Sequence, residues 1–192
     1  MSLTLLDWRR RVTELYASAR AAGSPESGWQ LWRSGRAALF RDHPDSPLRE
    51  GAALPAYRPY DRSMRFEVAV LAAVPQRIEL ATGTDGVVPL ERIGRVDLPG
   101  LGALDVWWLA SYGGGLFLPV WDPTCVRESY GGGRYVLDTV KGADLGSIDG
   151  RLVVDLNYAY NPSCAYDPAW ACPLPQAGNR LDVPVHAGEL AP

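Results

Sequence analysis

The densest run of groups able to do chemistry lies between Asp155 and Cys172, where Asp155, Asn157, Tyr160, Asn161, Cys164 and Tyr166 follow one another closely. A carboxylate accepts protons, a carboxamide donates and accepts hydrogen bonds, a phenol donates, and a thiol becomes a nucleophile once a base takes its proton. The histidines that could serve such a base are His43 and His186. Asp42 and Asp45 flank His43 and could orient its ring. A zinc site from Cys164, Cys172 and one histidine lacks the close C-x2-C pairing of structural zinc motifs, so a buried or paired cysteine is the ordinary expectation.

Two arginines bear on the same region. Arg36 lies four residues after Trp32 and four before Phe40, so it shares their apolar stripe and requires a carboxylate or carbonyl partner. Arg134, with Tyr135, follows the glycines Gly131 to Gly133. Asp155 and Asn157, two apart on a strand ending, project to one side and could hold Arg36 or Arg134, either as a buried network or as the lining of a pocket. The triple-glycine clusters at Gly113 to Gly115 and Gly131 to Gly133 are not followed by Lys-Ser/Thr, and hairpin turns explain them more simply than phosphate loops.

These residues need elements to position them. Leu5, Trp8, Val12, Leu15, Tyr16 and Ala19 recur at helical spacing, and Gly23 stops that helix. Ser24 as N-cap and Pro25 at the first position open a second helix running to about Arg41, ended by His43-Pro44. Residues 42–59 read as a surface connection. From Tyr57 the period becomes two, with strands expected around Phe66 to Ala72, Arg77 to Leu80, Val87 to Val96, Leu104 to Ala110 and Leu116 to Val120. Further strands are expected at Arg134 to Val140, Leu152 to Leu156 and Leu181 to Val185. Turn signals stand at Thr84-Asp85-Gly86, Leu98-Pro99-Gly100, Gly113 to Gly115 and Asp149-Gly150. Leu104, Val106, Trp108 and Ala110 should face inward, which leaves one of the neighbours Trp107 and Trp108 pointing elsewhere.

The expected fold is therefore mainly β, an antiparallel barrel or sandwich of about eight short strands, with an N-terminal pair of α-helices. One domain over 1–192 is expected, with a helical pair at 1–42 packed on the sheet and a β-rich body at 57–192. The 47% hydrophobic content supplies a core, and 16 prolines, 20 glycines and seven tryptophans suit short strands and turns. A formal net charge of -3 argues against nucleic acid. No run approaches a membrane span, the N-terminal residues lack the apolar region of a secretory signal, and three cysteines suit a reducing compartment, so a cytoplasmic location is expected. A small-molecule ligand and a homodimer remain open as partners, and no pattern names a cofactor.

The motifs Gly132-Gly133-Arg134-Tyr135, Asp155-x-Asn157-x-Ala159-Tyr160-Asn161-Pro162-x-Cys164-Ala165-Tyr166, Cys172-Pro173-Leu174-Pro175 and Asn179-x-Leu181 resemble the bacterial family known as domain of unknown function 1684. Trp32-Arg33-x-x-Arg36 with Phe40, His43 and Ser46-Pro47-Leu48 resembles its N-terminal motif. The resemblance implies that Arg36, His43, Arg134, Asp155, Asn157, Asn161, Cys164 and Tyr166 belong to one constellation; it implies no activity. The expected function is a small-molecule-binding domain, with catalysis left open, whose pocket joins the Asn-Pro-x-Cys-Ala-Tyr loop, the Gly-Gly-Arg-Tyr turn and the end of the second helix. Its candidate residues are Arg36, His43, Arg134, Tyr135, Asp155, Asn157, Tyr160, Asn161, Cys164 and Tyr166. The alternative is a non-catalytic structural or interaction domain in which these residues form a buried network. A flavin-binding split barrel is a third reading, by analogy of architecture alone.

Overall fold

The computed structural model describes residues 3–82, 86–170 and 172–192. Helix α1 spans Leu3–Ala21 and α2 spans Pro25–Asp42. Ser24 caps α2 by accepting from the Ser27 backbone N–H, and the Ser27 hydroxyl accepts in return from the Ser24 N–H. This reciprocal box satisfies two donors that the first helical turn leaves open. The two helices approach closely because Gly28 lies against α1: a Cβ there would stand 2.4 Å from the Ala19 carbonyl oxygen. No helix among the described residues is long and apolar enough to cross a membrane.

Strands β2 (Arg77–Thr82), β3 (Gly86–Leu98), β4 (Gly102–Leu109), β5 (Gly115–Val120) and β6 (Arg134–Asp138) form one antiparallel meander in that order. Strands β1 (Arg65–Val68), β7 (Ser147–Ile148) and β8 (Arg151–Asp155) form a second sheet ordered β1-β8-β7. The chain is thus mainly β, with two antiparallel sheets behind a helical pair, and the sheets do not close into a barrel. One apolar cluster joins all three layers: Trp29 and Trp32 from α2, Leu104 and Val106 from β4, Val154 from β8. Trp107, of opposite parity on β4, packs instead with Leu90, Phe117 and Tyr135.

Several expectations need correcting. No strand forms at Leu181 to Val185, where Pro184 removes a ladder donor; the eighth strand is β7. Asp149 and Gly150, both at positive φ, make the two-residue turn between β7 and β8. β1 stops at Val68, leaving Leu71 a single bridge to Arg95. β8 stops at Asp155, whose carboxylate caps the 3-10 turn Leu156–Tyr158, so Asn157 does not continue the strand face. Trp108 keeps the parity of Leu104 and Val106 but lies beyond the core, 39% exposed, over the Gly113-Gly114 turn. Thr84 and Asp85 of the expected hairpin turn lie outside the described residues; Gly86 pairs with Thr82.

Candidate functional site

The candidate residues separate into neighbourhoods. Arg134, at the start of β6, is fully buried and donates to Asp122 at 2.7 Å and to the carbonyls of Ala187 and Val185. Asp122 also accepts from the backbone N–H groups of Thr124 and Val185. These contacts bind the C-terminal segment to the sheet. Tyr135 points to the other side, where its hydroxyl donates to the Pro173 carbonyl at 2.6 Å and its ring meets Phe117 and Tyr160 edge-on.

Asp155 and Asn157 meet neither Arg36 nor Arg134. Asp155 accepts from the Asn157 backbone and amide, and its other oxygen faces Tyr60 at 3.4 Å and Arg65 at 3.9 Å. Asn157 closes a two-way bond with the backbone of Asp61, and its carbonyl accepts from the Trp29 indole at 2.9 Å. Burial pushes the Asp155 carboxyl up to about 6, against the pull of its Asn157 and Arg65 contacts.

Arg36 has a different partner. Its guanidinium donates to Glu189, at 3.1 and 3.3 Å, and to the Tyr57 hydroxyl at 3.1 Å. It also lies over the rings of Phe40 and Tyr160. Burial pushes the Glu189 carboxyl up while Arg36 pulls it down. The other Glu189 oxygen accepts from the Asn161 amide, which also donates to the Leu190 carbonyl at 2.7 Å.

Above this pair opens a cleft of ≈ 70 Å³ between the helices and the C-terminal loop. Trp8, Trp32, Phe40 and Tyr160 supply aromatic walls, and Tyr16, Arg36, Lys141, Asn161 and Ser163 supply polar groups. The lining contains no carboxylate. Two of its polar atoms are buried without a hydrogen-bond partner among the described residues: the Tyr16 hydroxyl and Asn161 Oδ1. The Trp32 indole beside Tyr16 can only donate, so the Tyr16 O–H has no acceptor. Burial raises the Tyr16 phenol further above its ordinary value, so it stays a hydrogen-bond donor across the physiological range.

The remaining candidates frame the cleft without lining it. His43 caps the end of α2, where its Nδ1 accepts from the Asp45 N–H and its Nε2 faces Asp7 at 3.3 Å. Its carboxylate neighbour is therefore Asp7, not the adjacent Asp42 or Asp45. Tyr166 packs edge-on against Phe40. Cys164 contacts the Tyr130 hydroxyl at 3.8 Å. His186 pairs with Glu128 instead. No group of three metal-binding side chains occurs among the described residues.

Sequence reasoning missed Glu189, Asp122, Tyr16 and Lys141. The signal for Lys141 was available, since it is the one lysine in a chain otherwise using arginine. Tyr16 read as one more member of an apolar stripe, and Glu189 stands alone near the C-terminus.

The fold built from these elements is similar to that of a solved protein of comparable length. That relative is an uncharacterised protein of Haloarcula marismortui, determined by NMR in solution, 31% identical, covering 86% of this chain and 93% of its own, with a TM-score of 0.59. The sequence profile of the family described as protein of unknown function (DUF1684) matches residues 52–190, and the chain belongs to that family. The match begins after the helical pair, so Arg36 and His43 stand outside it. No curated protein matches.

Proposed function

We propose that the protein binds a small organic acid in the cleft between the helical pair and the C-terminal loop, with the acid's apolar body against Trp8, Phe40 and Tyr160. The observation that carries this reading is the pair of buried, unpartnered polar atoms on residues that line the cleft, Tyr16 O–H and Asn161 Oδ1. Leaving such groups unmet costs about 1–3 kcal/mol each, which a ligand offering one acceptor and one donor recovers. Arg36 and Lys141 also line the cleft; each already faces a carboxylate, Glu189 at 3.1 Å and Asp138 at 3.7 Å, and adds a shared positive charge toward an anionic acceptor. A carboxylate carrying a nearby hydroxyl or amino donor meets the two open groups, Tyr16 O–H and Asn161 Oδ1, so hydroxy acids and amino acids with short apolar side chains are the fitting class. Neither histidine nor carboxylate lines the cleft to relay a proton, which supports binding rather than turnover.

The single lysine gives a direct test. Saturating 2-hydroxyisocaproate should slow acylation of Lys141 by an amine-reactive ester and raise the melting temperature. Isocaproate, lacking the donor, should act more weakly, and isoamyl alcohol should do neither. Tyr16→Phe should weaken binding by about tenfold, the worth of one hydrogen bond. If none of these acids alters Lys141 reactivity or melting, the reading fails.

The competing structural reading applies to the Arg134–Asp122 neighbourhood, where every donor but Nε is engaged by the protein itself.

A further inference from the structure

We propose that the chain carries a second ligand site, separate from the cleft, that takes a sugar phosphate: its phosphate on Arg20 and Arg65, its hydroxyls on Asp155 and Tyr158. The site is a cavity of ≈ 320 Å³, against ≈ 70 Å³ for the cleft, and the two share no lining residue. It opens between the α1–α2 corner, which brings Arg20, the start of β7, which brings Ser147, and the strands β1 and β8, which bring Arg65 and Asp155. Arg65 and Asp155 stand directly opposite each other in the β1–β8 ladder, so their side chains leave the sheet on one face.

Arg20 is held in place by the protein but not neutralised by it. Its Nη1 donates to the Asp144 carbonyl, and its stem lies over Gly146, where a Cβ would stand 3.1 Å from Arg20 Cδ. It has no carboxylate partner among the described residues, and its Nε and Nη2 make no hydrogen bond there. Arg65 is already shared: its Nη1 meets Glu67 at 2.6 Å and its Nε faces Asp155 at 3.9 Å, which leaves Nη2 open. Guanidinium groups with open N–H donors match the oxygens of a phosphate monoester, and Arg20 supplies the charge that nearby carboxylates leave unbalanced.

The other polar groups of the cavity suit hydroxyls. Asp155 Oδ1 takes both Asn157 donors, but Oδ2 has only Tyr60 at 3.4 Å and the more distant Arg65. Tyr158 is buried, and its hydroxyl makes no hydrogen bond among the described residues. A carboxylate oxygen with spare lone pairs and a phenol in the same cavity fit a ligand whose hydroxyls donate to the first and accept from the second. Burial pushes the Asp155 carboxyl up to about 6, so it takes a proton at small cost when an anion approaches. A free phosphate ion leaves Asp155 and Tyr158 unmet, whereas a phosphorylated sugar brings both kinds of group.

Ribose 5-phosphate is the probe, with ribose and inorganic phosphate as its two halves. Titrated calorimetrically into the full chain, it should bind at least about tenfold more tightly than inorganic phosphate, the worth of one hydrogen bond, and ribose should give no heat. Arg20 is exposed, so Arg20→Gln should keep the wild-type melting temperature. It should lose at least about tenfold in affinity for ribose 5-phosphate, and Arg20→Lys should recover part of that loss. Tyr16→Phe and saturating 2-hydroxyisocaproate should both leave the binding of ribose 5-phosphate unchanged. The two sites are thereby read separately, and failure of one leaves the other standing. Absence of heat with ribose 5-phosphate at millimolar concentration would overturn the proposal. So would undiminished binding by Arg20→Gln, or inorganic phosphate binding as tightly as the ester.

Discussion

At the scale of single residues, buried charges are held by partners far along the chain. Glu189 has no exposed surface on its side chain and depends on Arg36. Arg36→Met should therefore cost about 3–5 kcal/mol, the usual result of stranding a buried charge. Arg36→Met with Glu189→Gln should recover more than half of that loss, because the glutamine still accepts from Asn161; urea denaturation of the two variants measures the difference. Asp155 offers a pH test whose sign is opposite to that of an ordinary paired carboxylate. Its folded-state value, about 6, exceeds the unfolded value, so the folded state binds the proton more tightly. The Asp155 contribution to stability is full below about pH 4, falls as pH rises toward about 6, and is absent as a pH-dependent gain above that. Asp155→Asn carries no such loss. Its stability relative to wild type should improve between about pH 4 and 7 by roughly 3 kcal/mol, the worth of a shift of this size. A difference that stays constant with pH would disprove the raised value.

At the scale of elements, the helical pair is set by short-range signals and by one close approach. Ser24→Ala removes the acceptor for the Ser27 N–H and should lower stability by about 1 kcal/mol. Gly28→Ala improves intrinsic helix propensity, yet its new methyl would press on the Ala19 carbonyl of α1. Overpacking should prevail, with a net loss of about 1–3 kcal/mol and a lower melting temperature. If Gly28→Ala instead raised the melting temperature, the tight crossing of α1 and α2 would be refuted. The turn before β5 is constrained in a comparable way: Gly114 sits at φ +48 directly beneath the Trp108 indole, so a side chain there meets both strain and overlap.

At the scale of the whole molecule, the helices are part of the core that the sheets share. Trp32 is 1% exposed and packs against Tyr16, Tyr57 and Tyr158, rings drawn from α1, the connection after α2 and the turn after β8. Trp32→Ala should cost about 3–5 kcal/mol, as large-to-small changes at buried aromatics do. A fragment of residues 52–192, although it contains the whole family match, would expose Val153, Leu145 and Tyr158 to water. It should lack dispersed methyl resonances in its proton NMR spectrum, whereas the full chain shows them.

Period and capping by themselves determined the two helices, seven of the eight strands, most turns and the need of Arg36 for a partner. Those features depend on neighbours within a few residues, where spacing dictates which groups share a face. Which carboxylate answers which arginine was decided only by the tertiary structure. Asp155 and Asn157 stood close to the arginines in motif terms, yet Glu189 reaches Arg36, Asp122 reaches Arg134, and Asp155 turns back to cap its own 3-10 turn. Such pairings join segments far apart in the chain, and their geometry arises from how the helices lie on two sheets. The same holds for the cleft: Tyr16, Lys141 and Asn161 sit on separate elements, and packing alone brings them to one cleft.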